Sequence, residues 1–146
     1  MKEPSELSDL EKIKFILKGY LKDYLFTCYA YDFKHDDATK VIEITIKKRE
    51  DEDAFIFLRM GIAPQNKEIY IYNIFLPKED RGQNLALGAV NVLFQVAKMM
   101  NYRLVLHSMV DSFYNAMLKK GAKETSSPDC LEVTDDTDLG ELRLNI

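Results

Sequence analysis

The sequence predicts one α+β domain with α/β/α layering, whose core is a mixed, mostly antiparallel twisted sheet of about six to seven strands. The 146 residues are the length of one ordinary domain and suffice to bury a core. Four strand-like segments joined by short turns predict an antiparallel meander. A strand, a long apolar helix and another strand then follow directly, which implies one parallel pairing within the sheet.

The chain opens with an amphipathic helix. Ser8 and Glu11 form the capping-box pattern Ser-x-x-Glu, which marks a helix start. Large side chains then recur at helical spacing: Leu10, Ile13, Leu17, Tyr20, Leu21 and Tyr24. The pattern predicts a helix from Ser8 to about Leu25.

The next fifty residues change to the alternating period of strands. Four strands are predicted at residues 27–33, 41–46, 54–62 and 68–76, where β-branched and aromatic residues are frequent. Polar turns are predicted at residues 34–38 and 64–67. The fourth strand has the clearest pattern, because Ile69 and Ile71 alternate with Tyr70 and Tyr72.

The second half of the chain alternates helices and strands. Pro77 ends the fourth strand, and a charged loop over residues 78–82 leads into a helix over residues 83–100. That helix is apolar on nearly every side, which is typical of a helix buried against a sheet. A strand at residues 103–107, a helix capped by Asp111 or Ser112 and ending at Gly121, and a closing hairpin of residues 129–133 and 141–145 complete the prediction.

Composition and charge exclude several classes of protein. A formal net charge of −4 disfavours a dedicated nucleic-acid binder, which usually presents a basic surface. The sequence contains no run of eighteen apolar residues, so it predicts no membrane span. The first residues are polar and do not resemble a signal peptide. Cys28 and Cys130 lie far apart and are expected to be free thiols of a cytoplasmic protein, not placed as nucleophiles, with a disulfide between the two as the alternative. Two His and two Cys without close spacing predict no metal site.

The connection after the fourth strand is the most informative stretch. It consists of a strand, Pro77, a short charged loop with Arg81 and Gly82, and the start of an apolar helix. The first N–H groups of a helix have no partner within it, and its dipole is positive at that end, so phosphates bind there readily. From the residues alone, an anion site and an ordinary tight turn with a solvent-facing arginine are equal alternatives.

Residues 81–86, Arg-Gly-Gln-Asn-Leu-Ala, resemble the motif R/Q-x-x-G-x-G/A of the GNAT N-acetyltransferase superfamily. The resemblance covers residues 68–122 and implies a GNAT-like acyl-CoA acyltransferase fold. It implies acetyl-CoA as co-substrate, with its pyrophosphate on the loop amides and its pantetheine arm along the end of the fourth strand. The implied cofactor-binding residues are Ile74, Phe75, Leu76, Arg81, Gly82, Gln83, Asn84, Leu85 and Ala86.

The chain departs from the family pattern at three positions. Asn84 stands where the motif has its first glycine, Met117 where relatives often have a tyrosine acid, and Val110 where an asparagine is common. Tyr114, one helical turn before Met117, is the candidate replacement for the acid, with core packing as the alternative.

A general base is also needed, to take a proton from an attacking amine. Glu68, at the start of the fourth strand, is the candidate, because some relatives carry a glutamate on this strand. A solvent-exposed strand start is its alternative interpretation. His107 ends the next strand and is a second candidate proton carrier, with a structural histidine as the alternative.

The resemblance implies transfer of an acetyl group from acetyl-CoA to a primary amine by direct attack, without a covalent enzyme intermediate. The alternatives are a catalytically impaired binding or regulatory protein on the same fold, and an unrelated α+β domain in which Arg81-Gly82 is only a turn. The acceptor, a small molecule or a protein amine, is not specified by the sequence. The sequence does not specify the oligomeric state either, and a homodimer is one of the alternatives. Nucleic acid and membrane partners are not expected.

Overall fold

The fold is a seven-stranded mixed sheet with three helices, as described for residues 8–140 by a computed structural model. The helices are α1 (Asp9–Phe26), α2 (Leu85–Met99) and α3 (Asp111–Lys119). The strands are β1 (Ala30–Asp36), β2 (Val41–Lys47), β3 (Phe55–Ala63), β4 (Glu68–Ile74), β5 (Arg103–His107), β6 (Lys123–Glu124) and β7 (Cys130–Val133). Their order in the sheet is β1-β2-β3-β4-β5-β7-β6, and β4–β5 is the one parallel pair among them. The predicted α+β class is confirmed, and the arrangement is consistent with a GNAT-like fold.

Helix α1 begins where the capping box predicts. The Ser8 side-chain oxygen accepts a hydrogen bond from the Glu11 amide at 3.1 Å, which satisfies one of the amides that the helix itself leaves unpaired. The buried face consists of the residues at helical spacing, Leu10, Ile13, Leu17, Leu21 and Leu25. Among residues 8–140, no helix is both long and apolar enough to cross a membrane.

Strand β1 lies three residues later than its alternation predicts. The last turn of α1 continues through Thr27 and Cys28, whose amides donate to the carbonyls of Tyr24 and Leu25. At the other end, the Asp36 carboxylate accepts from the Ala38 amide at 2.9 Å, so the turn starts only after Asp36. Local side-chain hydrogen bonding therefore decides both ends of this strand.

One face of the sheet is buried under the helices and the other is not. Alternate residues of β2 to β5, such as Ile44, Met60, Ile71 and Leu106, form one core with the inner faces of α1 and α2, and α3 adds Met117 to it. The opposite face carries half-buried polar and aromatic side chains. Helices α1 and α2 contact each other on the buried face, and α3 reaches the same core through Met117.

Strands β4 and β5 pair only briefly. Their parallel register runs from Glu68 opposite Arg103 to Ile71 opposite Leu106 and ends there. In β4, Tyr72 is an extra residue relative to β3, because Ile71 faces Met60 while Asn73 already faces Arg59. Such a bulge bends a strand and reverses its inward and outward faces. It turns Ile74 to the helical side of the sheet, opposite Leu58.

Two further boundaries differ from the prediction. Residues 78–83 form a 3-10 helical segment, so α2 starts at Leu85 instead of residue 83. The last hairpin is formed by β6 and β7, with β7 placed between β5 and β6. The predicted strand at residues 141–145 lies outside the described residues.

Helix α1 packs closely on α2 at Gly88. A methyl group there would overlap the Tyr20 hydroxyl and lie 2.6 Å from its Cζ. We expect Gly88→Ala to lower the free energy of unfolding by about 1–3 kcal/mol, measured by urea denaturation. The matched control is Gly19→Ala, where no atom lies within 4 Å, and which should raise it by about 0.5–1 kcal/mol. Equal effects of the two substitutions would contradict this packing.

Candidate functional site

A cleft of about 320 Å³ opens where β4 and β5 separate. Beyond Ile71, the β5-facing edge of β4 pairs with no strand among the described residues, so its backbone groups are available to a ligand. The cleft lies between the end of β4, the start of α2 and the start of α3. It is lined by Ile74, Phe75, Leu76, Arg81, Asn84, Ala86, Leu87, Val110, Ser112, Phe113 and Ala116.

Six of the nine predicted cofactor-binding residues line this cleft: Ile74, Phe75, Leu76, Arg81, Asn84 and Ala86. Leu85 is not part of the lining; its carbonyl accepts a hydrogen bond from the Tyr20 hydroxyl at 2.9 Å. The backbone of Gly82 and Gln83 belongs to the 3-10 segment, and the surroundings of these two residues are outside what the structure describes.

Asn84 adopts the left-handed conformation that favours glycine. Its φ is 54° and its ψ is 24°, and it directly precedes α2. Asparagine is among the residues that tolerate this region best, so it can occupy a position where the resembling motif has glycine. Its side chain does not cap the helix, and no other side chain does so among the described residues. Ala86 and Leu87 of this first turn line the cleft, and no side chain in the described part of the chain accepts from their amides.

Arg81 is the one charged side chain among the described residues that line the cleft. Its Nε donates to the Leu76 carbonyl at 2.9 Å, and its guanidinium lies 5.6 Å from the Phe75 ring centre. These contacts hold the Nε end of the guanidinium in place, while the side chain as a whole stays solvent-exposed. A positive charge is thus held beside the positive end of the α2 dipole, which favours an anion.

Both acidic residues of the same loop form ion pairs with Lys48. Its ammonium lies 2.9 Å from the Glu79 carboxylate and 2.8 Å from that of Asp80, which also accepts from the Tyr24 hydroxyl at 2.8 Å. Burial alone would raise the pKa of Asp80, but the hydrogen bonds from Lys48 and Tyr24 outweigh it and hold that pKa below its usual value. With Arg49 also 3.8 Å from Glu79, both carboxylates of the loop are paired with cations outside the cleft lining, which includes Arg81.

Glu68, the candidate base, lies on the opposite face of the sheet from α2. It is only 7% exposed, which contradicts a solvent-exposed strand start. Its carboxylate lies 3.0 Å from His107 Nε2 and 3.3 Å from the Arg103 guanidinium. On its other side, His107 places Nδ1 3.3 Å from the Sγ of Cys130.

The expectation that Cys130 is not placed as a nucleophile stays a prediction, but the surroundings of this thiol bear on it. Both cysteines are free, as expected, but Cys130 lies beside a histidine that a carboxylate orients. The contact depends on the register of β5 with β7, which sets His107 opposite Cys130 across 23 residues of sequence. No local pattern in the sequence encodes that register.

Tyr114, the candidate acid, is absent from the cleft lining, which takes Phe113 and Ala116 from the same helix. It is half-buried against the core, and burial and then the nearby Glu124, Asp129 and Cys130 raise the pKa of its hydroxyl. Met117 is 1% exposed within the core. The catalytic role of Tyr114 stays a prediction, with its hydroxyl outside the cleft. Within residues 8–140, no cluster of three His, Cys, Asp or Glu side chains is suited to a metal ion.

The Asp80 cluster should make the rim of the cleft acid-sensitive. Because the folded-state pKa of Asp80 is depressed, its stabilisation is fully present above the ordinary value of 3.8 and is lost as pH falls through the lower folded-state pKa. Asp80→Asn should cost about 1–3 kcal/mol of unfolding free energy at pH 7, and this cost should shrink below about pH 4. The control Asp135→Asn removes an exposed pairing with Lys98 and should cost less than about 1 kcal/mol. A cost of Asp80→Asn that does not change with pH would contradict the assignment.

Comparison with known proteins adds no family assignment to this geometry. No protein-family model matches the chain, and no curated protein matches it either. The likeness of residues 68–122 to N-acetyltransferases therefore depends on the motif and on the element order described above.

Proposed function

We propose that the protein binds acetyl-CoA in the cleft between β4 and β5 and transfers its acetyl group to a primary amine. The observation that carries the proposal is the coincidence of two independent features. The residues that resemble the pyrophosphate motif lie at a helix start without a side-chain cap, and this start borders a cleft opened by the separation of the strands. A diphosphate and an extended amide-containing arm need these two features together.

The chemistry of the lining supports the same ligand. The rim offers one guanidinium and the first-turn amides of α2, which suit a pyrophosphate. The interior is mostly apolar, with the unpaired edge of β4 along one wall, which suits a pantetheine chain that forms backbone hydrogen bonds. A thioester held there reacts with an amine mainly because the two groups are positioned together.

A binding or regulatory protein that keeps coenzyme A without the chemistry is the second candidate. Met117 is buried where relatives often carry a tyrosine acid, and the Tyr114 hydroxyl lies outside the cleft. Both observations leave a departing thiolate without an obvious proton donor. Coenzyme A binding is common to the two candidates, so binding and turnover are tested separately.

Binding should depend on Arg81. We expect Arg81→Glu to weaken acetyl-CoA binding by about 10- to 100-fold, measured by isothermal titration calorimetry, because it removes a charge-assisted hydrogen bond and adds repulsion. The matched control is Lys78→Glu, an equal charge reversal on the same 3-10 segment at an exposed residue outside the cleft. Equal weakening by both variants would indicate a long-range charge effect, and no binding to the wild type at millimolar acetyl-CoA would refute both candidates.

Turnover separates the enzyme from the binding protein. We expect the wild type to release free coenzyme A when it is given acetyl-CoA together with each of a panel of primary amines. A thiol-specific dye measures this release. Glu68 lies on the face of the sheet opposite the cleft and is held by His107 and Arg103, so Glu68→Gln should change kcat by less than about threefold, and a loss of about 100-fold would show that it acts as the general base after all. Tyr114→Phe should leave kcat within about threefold if its hydroxyl acts only in packing, as the absence of Tyr114 from the cleft suggests. Binding without turnover on every amine would favour the second candidate.

A further inference from the structure

Outside the cleft, three side chains on the helix-free face of the sheet form a linear array. Cys130 Sγ lies 3.3 Å from His107 Nδ1, and His107 Nε2 lies 3.0 Å from the Glu68 carboxylate. The three residues come from β7, β5 and β4, so backbone pairing within the sheet fixes their relative positions. A thiol, an imidazole and a carboxylate in this order are the components of nucleophilic acyl transfer.

The hydrogen bonding determines which imidazole nitrogen faces the thiol. An ionised carboxylate only accepts hydrogen bonds, so Nε2 carries the hydrogen that binds Glu68. In the neutral imidazole the lone pair then lies on Nδ1, which faces Cys130. This is the tautomer that can take the thiol proton.

Surrounding contacts hold the array in place. Arg103 also binds Glu68, at 3.3 Å, and reaches Glu132 at 3.8 Å, so the carboxylate is anchored on both sides. The Tyr70 ring packs edge-on against His107 with centres 5.6 Å apart. Beyond β5, the Ser108 amide donates to the Asp129 carbonyl at 3.0 Å, next to Cys130. The imidazole is 38% exposed, so a small reagent can reach the pair from solvent.

We propose that Cys130 is an acyl-accepting nucleophile, with His107 as its base and Glu68 as the residue that positions His107. The substrate class is a small acyl thioester. Cys130 Sγ attacks the thioester carbonyl carbon while its proton passes to His107 Nδ1. The bond to the leaving sulfur breaks, and that sulfur takes the proton from His107 as it departs as a free thiol. Water, deprotonated by the same nitrogen, then hydrolyses the S-acyl group to the carboxylic acid and restores the Cys130 thiol.

The resting state is a neutral thiol instead of a preformed thiolate–imidazolium pair. Burial, and then the charges of Glu68 and Asp129, raise the pKa of Cys130. The thiol is 8% exposed, which restricts access to small groups. Activation must therefore occur during the attack, when His107 takes the proton.

Cys28 provides an internal control in the same molecule. It is also a free, partly buried thiol, and burial raises its pKa as well. Its Sγ contacts the Tyr24 carbonyl at 3.3 Å, which cannot take a proton as an imidazole does. A difference in reactivity between the two thiols therefore reports the effect of His107.

The test treats the wild-type protein with the acetyl thioester of N-acetylcysteamine, a reagent without nucleotide or phosphate. Acid quenching and peptide mass spectrometry then measure acetylation at each cysteine. We expect Cys130 to be acetylated at least about 100-fold faster than Cys28, and the ratio to fall to within about threefold in His107→Gln. Equal rates at the two cysteines of the wild type, or an unchanged ratio in His107→Gln, would overturn the proposal.

The role of Glu68 has a spectroscopic test that packing alone would not affect. Nitrogen-15 NMR of the His107 ring should report the Nε2–H tautomer in the wild type. In Glu68→Gln the side-chain amide can donate as well as accept, so the tautomers should mix and the Cys130 acetylation rate should fall with them. A slower Cys130 acetylation in Glu68→Gln with an unchanged His107 tautomer would show that Glu68 has only a structural role. The claim that it positions His107 would then be refuted.

This activity and the proposed acetyltransferase function can fail independently. The reagent carries no pyrophosphate, so Arg81→Glu should leave Cys130 acetylation unchanged while it weakens acetyl-CoA binding. Acetyl-CoA binding with an unreactive Cys130 would refute only the thiol activity. A reactive Cys130 in a protein that does not bind acetyl-CoA would refute only the proposed function.

Discussion

The separation of β4 from β5 is the constraint on which the candidate site depends. The two strands pair over four residues on each side, Glu68–Ile71 with Arg103–Leu106, and then diverge. On β4 the bulge at Tyr72 redirects the strand, and directly after β5 the left-handed Ser108, with a φ of 52°, ends the extended conformation before α3. An unpaired strand edge inside a fold must find other hydrogen-bond partners, and a cleft beside it provides access for water or a ligand.

Helix α1 and the β2–β3 connection hold the rim of that cleft in position. The hydroxyls of Tyr20 and Tyr24 bind the start of α2 and the preceding loop, and Lys48 joins both acidic side chains of the loop. Each contact links segments more than thirty residues apart in sequence, so the geometry of the loop depends on tertiary contacts. A rim held by several independent contacts loses little conformational entropy when it binds a ligand, which favours affinity.

The sheet presents different chemistry on its two faces. The helical side has the apolar cleft with Arg81 at its rim, and the other side has the array of Glu68, His107 and Cys130. Alternation along a strand explains this division, because Glu68 and Tyr70 point away from the core that Ile69 and Ile71 enter. Only after the bulge does β4 turn Ile74 to the helical side, so a single extra residue decides which side chains border the cleft.

Sequence patterns predicted the parts of the fold that local interactions determine. The Ser8 cap, the parallel β4–β5 pairing and the buried α2 follow from hydrogen-bonding patterns, element order and apolar content, and the structure agrees with all three. The start of β1 was misplaced because backbone bonds at Thr27 and Cys28 extend the helix. The Cys130–His107 contact was missed because it depends on strand register between distant segments, which neither periodicity nor spacing encodes.

The same limit applies to the candidate site. The motif-like residues predicted which loop would border the cleft, because a loop and its helix are contiguous in sequence. The burial of Glu68 and the position of Tyr114 outside the cleft depend on tertiary packing, which sequence reasoning left open between two alternatives.

A backbone-amide NMR titration with coenzyme A tests the central claim most directly, because it locates binding without requiring turnover. We expect the shifts to be concentrated at Ile74 on the free edge of β4 and at Leu85 and Ala86 in the first turn of α2, with little change at Glu43 and Arg59 on the helix-free face. Shifts confined to that face, or no shifts at millimolar coenzyme A, would contradict it.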